Sequence, residues 1–372
     1  MIRFFLLFSI VIAFASCDSK SKQNNNNIDT INISNVEVID SYAIDYLLKD
    51  SIRAIALETN DDFVIGEISH IKYHNEEILI CDKMSEAVYL YDANTGKAIT
   101  KIHYPGRGPE EYIEIADADI YNDMVIIFDY VGSKLLIYSK EGEFIKAIST
   151  QDIWGEEILV INNVLYVINP DSETNIGFYH FFKLNNDDTF TPISNFNERD
   201  YGWGIDRFSC SNNSDLLFVL PPSDTIMLLG KNGAIPAYKV DFGRLKFSDD
   251  ILEGNSLDVL KLARDSEQTK GIEAIYQLGN NIAFKYTNST DNFYAIYNPK
   301  DSGIVISKRL FAHEVEIDNT LRTTNGVLLF YYPAYNMTDY FPNSSNKPES
   351  FISLAKQVDK EANPVVFIGE FK

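Results

Sequence analysis

An internal repeat with a period of 46 or 47 residues restricts the folds open to this chain more than any other feature of its sequence. Each of the first two copies has an apolar run that ends in aspartate, a second apolar run, a glycine and a third apolar run. The equivalent positions are Asp82 and Asp129, Tyr91 and Tyr138, and Gly96 and Gly142. A period of this length is typical of the four-stranded blade of a β-propeller.

Weaker copies of the same unit continue to the end of the chain. The third unit has Asn169 where the first two have aspartate, and six units fit within residues 51–372. We assign residues 303–307 to the sixth unit, and we expect residues 51–58 and 363–372 to close the ring in one blade. The sequence therefore predicts an all-β fold, a six-bladed β-propeller of four-stranded antiparallel blades. A pair of β-sandwiches is the alternative, but it gives no reason for a repeat of this period.

Two stretches interrupt the repeat and predict short helical insertions. Residues 248–271 and residues 350–360 both carry apolar side chains at the spacing of an amphipathic helix rather than at the alternation of a strand. Residues 28–50 alternate only weakly, and they predict a strand and a short helix over the rim of the ring.

The N-terminus predicts export and a lipid anchor. Residues 1–16 contain one early arginine, a short apolar run and small residues just before Cys17, which indicates a secretory signal peptide. The Ala-Ser-Cys junction resembles a bacterial lipobox, in which the cysteine thiol is acylated after cleavage. We therefore divide the chain into a signal peptide at 1–16, a lipid-anchored polar tether and lead-in at 17–50, and the propeller at 51–372. An ordinary signal with a chance cysteine is the alternative.

The charge and the cysteines narrow the possible partners. The formal net charge is −22, and a surface this acidic repels phosphate backbones, so we expect no nucleic acid partner. We expect contact with the membrane only through the lipid at Cys17. The remaining cysteines, Cys81 and Cys210, lie about three blades apart in the repeat and are too distant for a disulfide. We expect both to be buried as small apolar side chains.

Four further motifs are distinctive. They are Leu57-Glu58 followed by Ile65-Gly66-Glu67-Ile68, the loop Gly106-Arg-Gly-Pro-Glu-Glu-Tyr112, Ser223-Asp-Thr-Ile226 leading to Tyr238-Lys-Val-Asp-Phe-Gly243, and Asn363-Pro364. Together they resemble the six-bladed, NHL-like β-propeller lipoproteins of Gram-negative bacteria, although Glu110 stands where that family often has glycine. The resemblance implies the propeller fold and an outer-membrane lipoprotein that faces the periplasm or the cell surface. It implies little about activity, because most members are known only as folds.

The loop from Tyr104 to Tyr112 is the most distinctive connection between two units. It lacks the Lys-Ser/Thr pair of a phosphate-binding loop, and two acids stand where phosphate would lie. The structural interpretation is that Gly106 and Gly108 adopt positive φ and that Pro109 stiffens the return. The functional interpretation is that the loop lines the mouth of the central channel. With one aromatic residue from the loop 201–204, the candidate ligand-binding residues are Tyr104, Arg107, Glu110, Tyr112 and Trp203.

Motifs for metal binding and catalysis are weak. The histidines have no zinc-site spacing, and His70 and His74, four positions apart in a strand, need not share a face. Asp82, Asp129 and Asn169 recur once per blade, either as turn caps bonded to backbone amides or as a Ca²⁺ site at the axis. No Gly-x-Ser-x-Gly nucleophile motif is present in the sequence.

These observations favour a cell-envelope lipoprotein propeller that is non-catalytic, needs no cofactor, and binds a ligand or partner such as a glycan, a peptide or an envelope protein. The alternative is a Ca²⁺-dependent propeller hydrolase or lyase, such as a lactonase, with acids at the channel mouth. A structural subunit of an envelope complex is a third hypothesis.

Overall fold

The computed structural model describes residues 28–153, 155, 157–169, 173–174, 177–178, 180–193, 208–210, 216–220, 223–230, 233–248, 261, 267–317, 321–324, 326–341 and 347–372. In this part of the chain six β-sheets follow one another around a ring. The chain begins with strands β1 (Asp29–Asn32), β2 (Val38–Ala43) and β3 (Arg53–Ala56), and a 3-10 turn at Asp45–Leu47 separates the last two.

Blades 1 to 3 follow in order, and their strands run from the centre of the ring outwards. Blade 1 contains β4 (His70–His74), β5 (Glu77–Asp82), β6 (Ala87–Asp92) and β7 (Ala98–Ile102). Blade 2 contains β8 (Ile115–Tyr121), β9 (Met124–Asp129), β10 (Lys134–Tyr138) and β11 (Phe144–Ser149). Blade 3 contains β12 (Glu157–Ile161), β13 (Val164–Ile168), β16 (Phe181–Leu184) and β17 (Phe190–Ile193), with the small hairpin β14 (Glu173–Thr174) and β15 (Gly177–Phe178) between its second and third strands.

In blades 4 to 6, longer stretches of chain separate some of the strands and blades. Blade 4 contains β18 (Phe208–Cys210), β19 (Leu216–Phe218), β20 (Thr225–Gly230) and β21 (Gly233–Asp241), and a 3-10 turn at Gly243–Leu245 follows. Blade 5 contains β22 (Ala274–Leu278), β23 (Asn281–Thr287), β24 (Asn292–Asn298) and β25 (Gly303–Ala312), and β26 (Val315–Ile317) pairs with the end of β25. Blade 6 contains β27 (Arg322–Thr324), β28 (Val327–Tyr332) and β29 (Val365–Glu370), with helices α1 (Ala334–Tyr340) and α2 (Glu349–Ala355) between the last two.

The ring closes in blade 6, as the sequence predicts. β3 supplies the outermost strand and pairs antiparallel with β29, so that Ala56 lies opposite Val365. The chain before β3 also runs along outer edges: β1 pairs in parallel with β21 of blade 4, and β2 pairs in parallel with β25 of blade 5. The lead-in thus contains two strands and a 3-10 turn where one strand and a short helix are predicted.

Two details of the prediction need correction or comment. Residues 303–307 belong to the outermost strand of blade 5, because β25 pairs with β24. The assignment to the sixth unit is wrong because residues 322–332 form two strands of blade 6, β27 and β28, so that with β29 and β3 the blade is complete without residues 303–307. The helix predicted at 350–360 forms only in its first half, since α2 ends at Ala355, whereas most of the helix predicted at 248–271 lies outside the described residues.

The strands form because their side chains fill the spaces between neighbouring blades. β9 is a nearly continuous apolar run and is buried on both faces, as expected for a strand enclosed within a sheet stack. Its Val125 and Ile127 pack against residues of blade 1, whereas Ile126 and Phe128 pack against residues of blade 3. Cys81 is buried in blade 1, and its burial raises the pKa of the thiol to about 12. The side chain of Cys210 lies outside the described residues.

The two ends of the ring differ. At one end, the innermost strands of blades 1 to 3 turn into the second strand through two residues that both have positive φ. These pairs are Asn75 and Glu76, Asn122 and Asp123, and Asn162 and Asn163. Such pairs form the tightest hairpin turns, for which asparagine is well suited. At the other end, which we call the open end, long connections such as residues 57–69 and 103–114 lead into the innermost strands.

Candidate functional site in the central channel

The innermost strands enclose a central channel with a cavity of about 230 Å³. β4, β8, β12, β18 and β27 contribute residues to its wall. The wall combines charged side chains with apolar ones such as Leu159 and Phe208. Cavities that join apolar surface with a few convergent polar groups are the usual sites for small ligands.

Four wall residues begin innermost strands at the open end. Each is the first residue of an innermost strand, and each of these strands runs away from the open end: His70 in β4, Glu157 in β12, Phe208 in β18 and Arg322 in β27. The order of the blades places blade 1 opposite blade 4 and blade 3 opposite blade 6. The hydroxyl oxygens of Ser209 and Thr323, which follow Phe208 and Arg322, lie 2.7 Å apart, so β18 and β27 are neighbours in the channel wall. We call these four residues the mouth layer.

Below the mouth layer, an ionic cluster joins the innermost strands of blades 1, 2 and 3. The Lys72 ammonium donates to Asp117 Oδ2 at 3.0 Å, to Asp119 Oδ2 at 3.2 Å and to the carbonyl of Ile158 at 3.1 Å. The same two carboxylate oxygens accept the backbone N–H groups of Ile158 and Val160, at 3.1 and 3.2 Å. All three protons of the ammonium are thus used, and one side chain holds three strands in register.

The pKa values in this cluster reflect burial opposed by charge. Burial lowers the pKa of the Lys72 ammonium, but the attraction of Asp117 and Asp119 outweighs it and raises that pKa above its ordinary value. Burial raises the pKa of the Asp117 carboxyl, but the charge of Lys72 and its hydrogen bond outweigh burial and hold that pKa below its usual range. For Asp119, burial and the charge of Asp117 outweigh Lys72, so its pKa is raised. The cluster therefore holds Lys72 charged and Asp117 ionised.

His70 in the mouth layer lies beside this cluster, with its Nδ1 3.9 Å from Asp117 Oδ1. That distance is too long for a hydrogen bond. Burial lowers the pKa of the His70 imidazole, and the charges of Lys72 and Lys83 lower it further against the opposing attraction of Asp117. At neutral pH the ring is therefore uncharged, with one nitrogen able to donate and the other able to accept.

The other half of the ring is joined by hydroxyl groups. Ser209 Oγ of blade 4 and Thr323 Oγ1 of blade 6 lie 2.7 Å apart. The backbone N–H of Gln277, in the innermost strand of blade 5, donates to both oxygens, at 2.7 and 3.2 Å. Blades 1 to 3 are therefore joined by charges and blades 4 to 6 by neutral groups, and both networks fix the channel wall.

The structure places the loop predicted at the mouth in the connection between blades 1 and 2. Tyr112 is fully buried, and its hydroxyl donates to the carbonyl of Glu86 at 2.7 Å. Tyr104 stacks on Tyr138 with ring centroids 5.8 Å apart, and the Tyr138 hydroxyl donates to the carbonyl of Glu110 at 2.6 Å.

Arg107 and Glu110 of that loop are exposed to solvent. None of the four described candidates, Tyr104, Arg107, Glu110 and Tyr112, belongs to the channel wall. A ligand-binding role for them stays a prediction. Trp203 and the lipid-attachment residue Cys17 lie outside the described residues.

The glycines of this loop serve a purpose other than the predicted one. Neither Gly106 nor Gly108 has φ in the left-handed region. Instead, the Glu111 carboxylate folds beneath them and accepts the backbone N–H of Gly108 at 2.8 Å. A Cβ at Gly106 would lie 2.0 Å from Glu111 Oε2, so a larger residue there would displace the Glu111 carboxylate from its present position.

The recurring acids act as turn caps in the two blades where their side-chain contacts are described. Asp82 accepts the backbone N–H groups of Gly66 at 2.6 Å and Ser85 at 2.9 Å. Asp129 accepts those of Ile113 at 3.0 Å and Gly132 at 2.8 Å. These contacts favour the capping interpretation over convergence on the axis. Within the described residues, no group of three or more His, Cys, Asp or Glu side chains is arranged to hold a metal ion.

The residues that sequence reasoning missed could have been found from strand periodicity. His70 and His74 do share a face, and Lys72 between them points to the channel as well. The statement that they need not share a face is wrong for a strand, because side chains at i, i+2 and i+4 point to the same side. The same alternation brings Asp117 and Asp119 of β8 to the channel.

Comparison with known proteins identifies a family and supports the fold. A family model described as a domain of unknown function (DUF4934) matches residues 29–370. The chain is similar to a candidate exported protein of Bacteroides fragilis NCTC 9343, with 15% identity, a TM-score of 0.72, and 92% of this chain and 99% of that chain covered. A DUF4221 family member from Bacteroides vulgatus shows 13% identity, a TM-score of 0.50, and coverage of 87% and 96%.

At sequence identities this low, the structural similarity shows a shared fold and does not show a shared function. The comparison with curated proteins found no match. Among the described residues, none of the helices has the length and apolar character needed to cross a membrane.

Proposed function

The chain belongs to the DUF4934 family, and we propose that it is an envelope lipoprotein that binds a small ligand in its central channel and catalyses no reaction. The observation that carries the proposal is the cavity of about 230 Å³, bounded at the open end by charged and aromatic side chains. This volume lies just below the usual range for drug-sized ligands, about 300–1,000 Å³, and suits a smaller molecule.

The ionic cluster favours binding over catalysis. A catalyst would use ionisable groups such as Lys72, Asp117 and Asp119. Here these side chains form hydrogen bonds with one another and with the backbone of β12. A channel wall held in this way is preorganised, and a preorganised site binds with a lower entropic cost than a site that must be ordered by its ligand.

A change at the channel mouth tests this proposal. Purified protein is screened against glycan and peptide arrays, and each ligand found is titrated by calorimetry. His70→Trp fills the mouth, and we expect it to weaken binding by at least about tenfold, which is 1.4 kcal/mol. His103→Trp is the matched control, since His103 is exposed and lies outside the channel wall. Ligands that bind His70→Trp as tightly as the unchanged protein would show that the channel is not the site.

The lipid anchor gives a separate prediction. We expect Cys17→Ala to move the protein from the membrane fraction to the soluble fraction, because the acylated thiol would be its attachment to the bilayer. Fractionation of cells labelled with a radioactive fatty acid measures both the location and the lipid. Cys210→Ala is the control and should remain in the membrane fraction with its label. If the Cys17→Ala protein keeps both label and location, the anchor lies elsewhere.

A further inference from the structure

We propose that a second binding site, for a neutral sugar unit of a glycan, lies at the open end of the ring between blades 2 and 3. A cleft of about 340 Å³ is present there, and we call it the side cleft. It is lined by Phe128, Tyr130, Val131, Ser133, Thr150, Gln151 and Ile153. None of these residues belongs to the channel wall, so the inference goes beyond the proposed function and does not depend on it.

Two turns of the chain build the side cleft. β9 and β11 end at the open end, and β10 begins there, because neighbouring strands of blade 2 are antiparallel. Residues 130–133 connect β9 to β10, and residues 150–153 follow β11. The backbone N–H of Thr150 donates to the carbonyl of Ser133 at 2.8 Å, and that of Ile153 donates to the carbonyl of Thr150 at 2.9 Å. These backbone bonds hold the two turns together before any ligand arrives.

The apolar part of the side cleft is only half covered by protein. Phe128 and Ile153 are buried in the core between blades 2 and 3. By contrast, the side chains of Tyr130 and Val131 are 46% and 49% exposed. Tyrosine combines an apolar ring with a polar hydroxyl, and it suits a site that is apolar on one side and wet on the other. The exposed ring of Tyr130 therefore gives a ligand a flat apolar surface to cover.

The polar side chains of the side cleft retain hydrogen-bonding capacity. Over the described part of the chain, the hydroxyl groups of Ser133 and Thr150 and the side-chain amide of Gln151 make no hydrogen bond. Thr150 is only 2% exposed, yet its hydroxyl oxygen is not fully enclosed by protein. The cleft that it lines provides its access to solvent. Since buried polar groups normally have a partner, this hydroxyl is suited to bond a ligand in the cleft.

The chemistry of the lining selects a neutral ligand with many hydroxyl groups. Among the described residues that line the side cleft, none is charged. The exposed Asp152 beside it and the net charge of −22 repel anions. A wholly apolar ligand would leave the Thr150 hydroxyl without a partner, which is unfavourable.

A sugar unit meets both requirements. Its hydroxyl groups donate and accept, as do the hydroxyl and amide groups of the cleft. The C–H groups on one face of its ring can lie against the ring of Tyr130. The cleft volume falls within the range of about 300–1,000 Å³ that is usual for small-molecule sites.

Calorimetric titration of the complete protein with oligosaccharides tests the ligand class. The neutral probes are maltohexaose, cellohexaose, laminarihexaose and mannohexaose, and the anionic probe is hexagalacturonic acid. We expect at least one neutral probe to bind with a Kd of about 1 mM or tighter, and to bind at least about tenfold more tightly than hexagalacturonic acid. If the anionic probe binds as tightly as the best neutral one, the inference is wrong.

Variants of the lining assign the binding to the side cleft. We expect Tyr130→Ala to weaken binding at least about tenfold, because the apolar surface is lost. Tyr130→Phe keeps the ring and should retain the affinity within about threefold, and Thr150→Val, which removes only the hydroxyl group, should weaken binding about threefold. Tyr335→Ala is the matched control, since Tyr335 of α1 is similarly exposed and lies outside the side cleft, and it should leave the affinity unchanged.

The variant His70→Trp separates this site from the channel. A sugar bound in the side cleft should bind His70→Trp and the unchanged protein equally, and the channel is then judged by ligands that Tyr130→Ala does not affect. If no neutral probe binds, or if Tyr130→Ala and Tyr335→Ala bind equally well, the inference fails. If His70→Trp abolishes sugar binding and Tyr130→Ala does not weaken it, the sugar lies in the channel. The inference then fails, whereas the proposed function gains support.

Discussion

Asn363→Ala is expected to lower the free energy of unfolding by about 3 kcal/mol, because this one side chain joins the two ends of the ring. Asn363 Oδ1 accepts the backbone N–H of Ile65 at 2.9 Å, and its Nδ2 donates to the carbonyls of Glu58 at 2.7 Å and Phe63 at 2.8 Å. The side chain is buried, so its loss leaves several backbone groups without a partner, each at a cost of about 1–3 kcal/mol. Urea denaturation followed by circular dichroism measures the change.

The matched control for this variant is Asn298→Ala. Asn298 makes only a local, exposed contact, in which its Oδ1 accepts the backbone N–H of Lys300 at 3.0 Å. Its replacement should change the stability by no more than about 0.5 kcal/mol. If both variants shift the denaturation midpoint equally, Asn363 does not act as the closing residue.

Lys72→Met is expected to destabilise the protein by about 3–5 kcal/mol at neutral pH, since it removes the cation of a buried ion cluster and leaves Asp117 and Asp119 unneutralised. Lys146→Met is the control, because the exposed pair of Lys146 with Asp188 at 2.6 Å contributes about 0.5 kcal/mol. Chemical denaturation of both variants measures the difference. Equal losses would show that the ionic cluster does not hold the three blades together.

The pH dependence of the Lys72→Met effect has a definite sign. In the unchanged protein, the pKa of Asp117 is lower in the folded state than in the unfolded state. The ionised carboxylate therefore stabilises the fold at pH values above about 3.9, the pKa in the unfolded state. This contribution is lost as the pH falls through the pKa of the folded state. Without Lys72, burial raises the pKa of that carboxyl, and stability is then lost as the pH rises above about 4. The difference in the free energy of unfolding between the unchanged protein and Lys72→Met should therefore become smaller when chemical denaturation is measured at low pH.

Features of the fold that depend on contacts between residues close in the sequence are easier to predict than features that depend on contacts between distant segments. The repeat reflects contacts within a blade, which are local, and so the blades follow from the positions of Asp82, Asp129 and their neighbours. The closure by residues 51–58 and 363–372 is a long-range pairing, but it is predictable because a closed ring needs both ends of the chain in one blade. The assignment of residues 303–307 fails because an apolar run does not show whether it forms one strand or two, and residues 322–332 form both β27 and β28.

The candidate site also has some features that depend on local sequence and others that depend on contacts between distant segments. Strand alternation predicts that His70, Lys72 and His74 share a face, and this part was available from the residues alone. That Lys72 reaches Asp117 of the next blade and the backbone of the blade beyond depends on how the ring closes. The mouth layer is likewise visible only when the starts of four distant strands are brought to one end of the channel.

The position of the first strands has a consequence for biogenesis. β1, β2 and β3 pair with β21, β25 and β29, and each of these pairings spans more than half of the chain. Such pairing across the whole chain gives a high contact order, which slows folding. β1, β2 and β3 therefore cannot make their sheet contacts until these distant partners have been synthesised, and the ring cannot close before β29 is made.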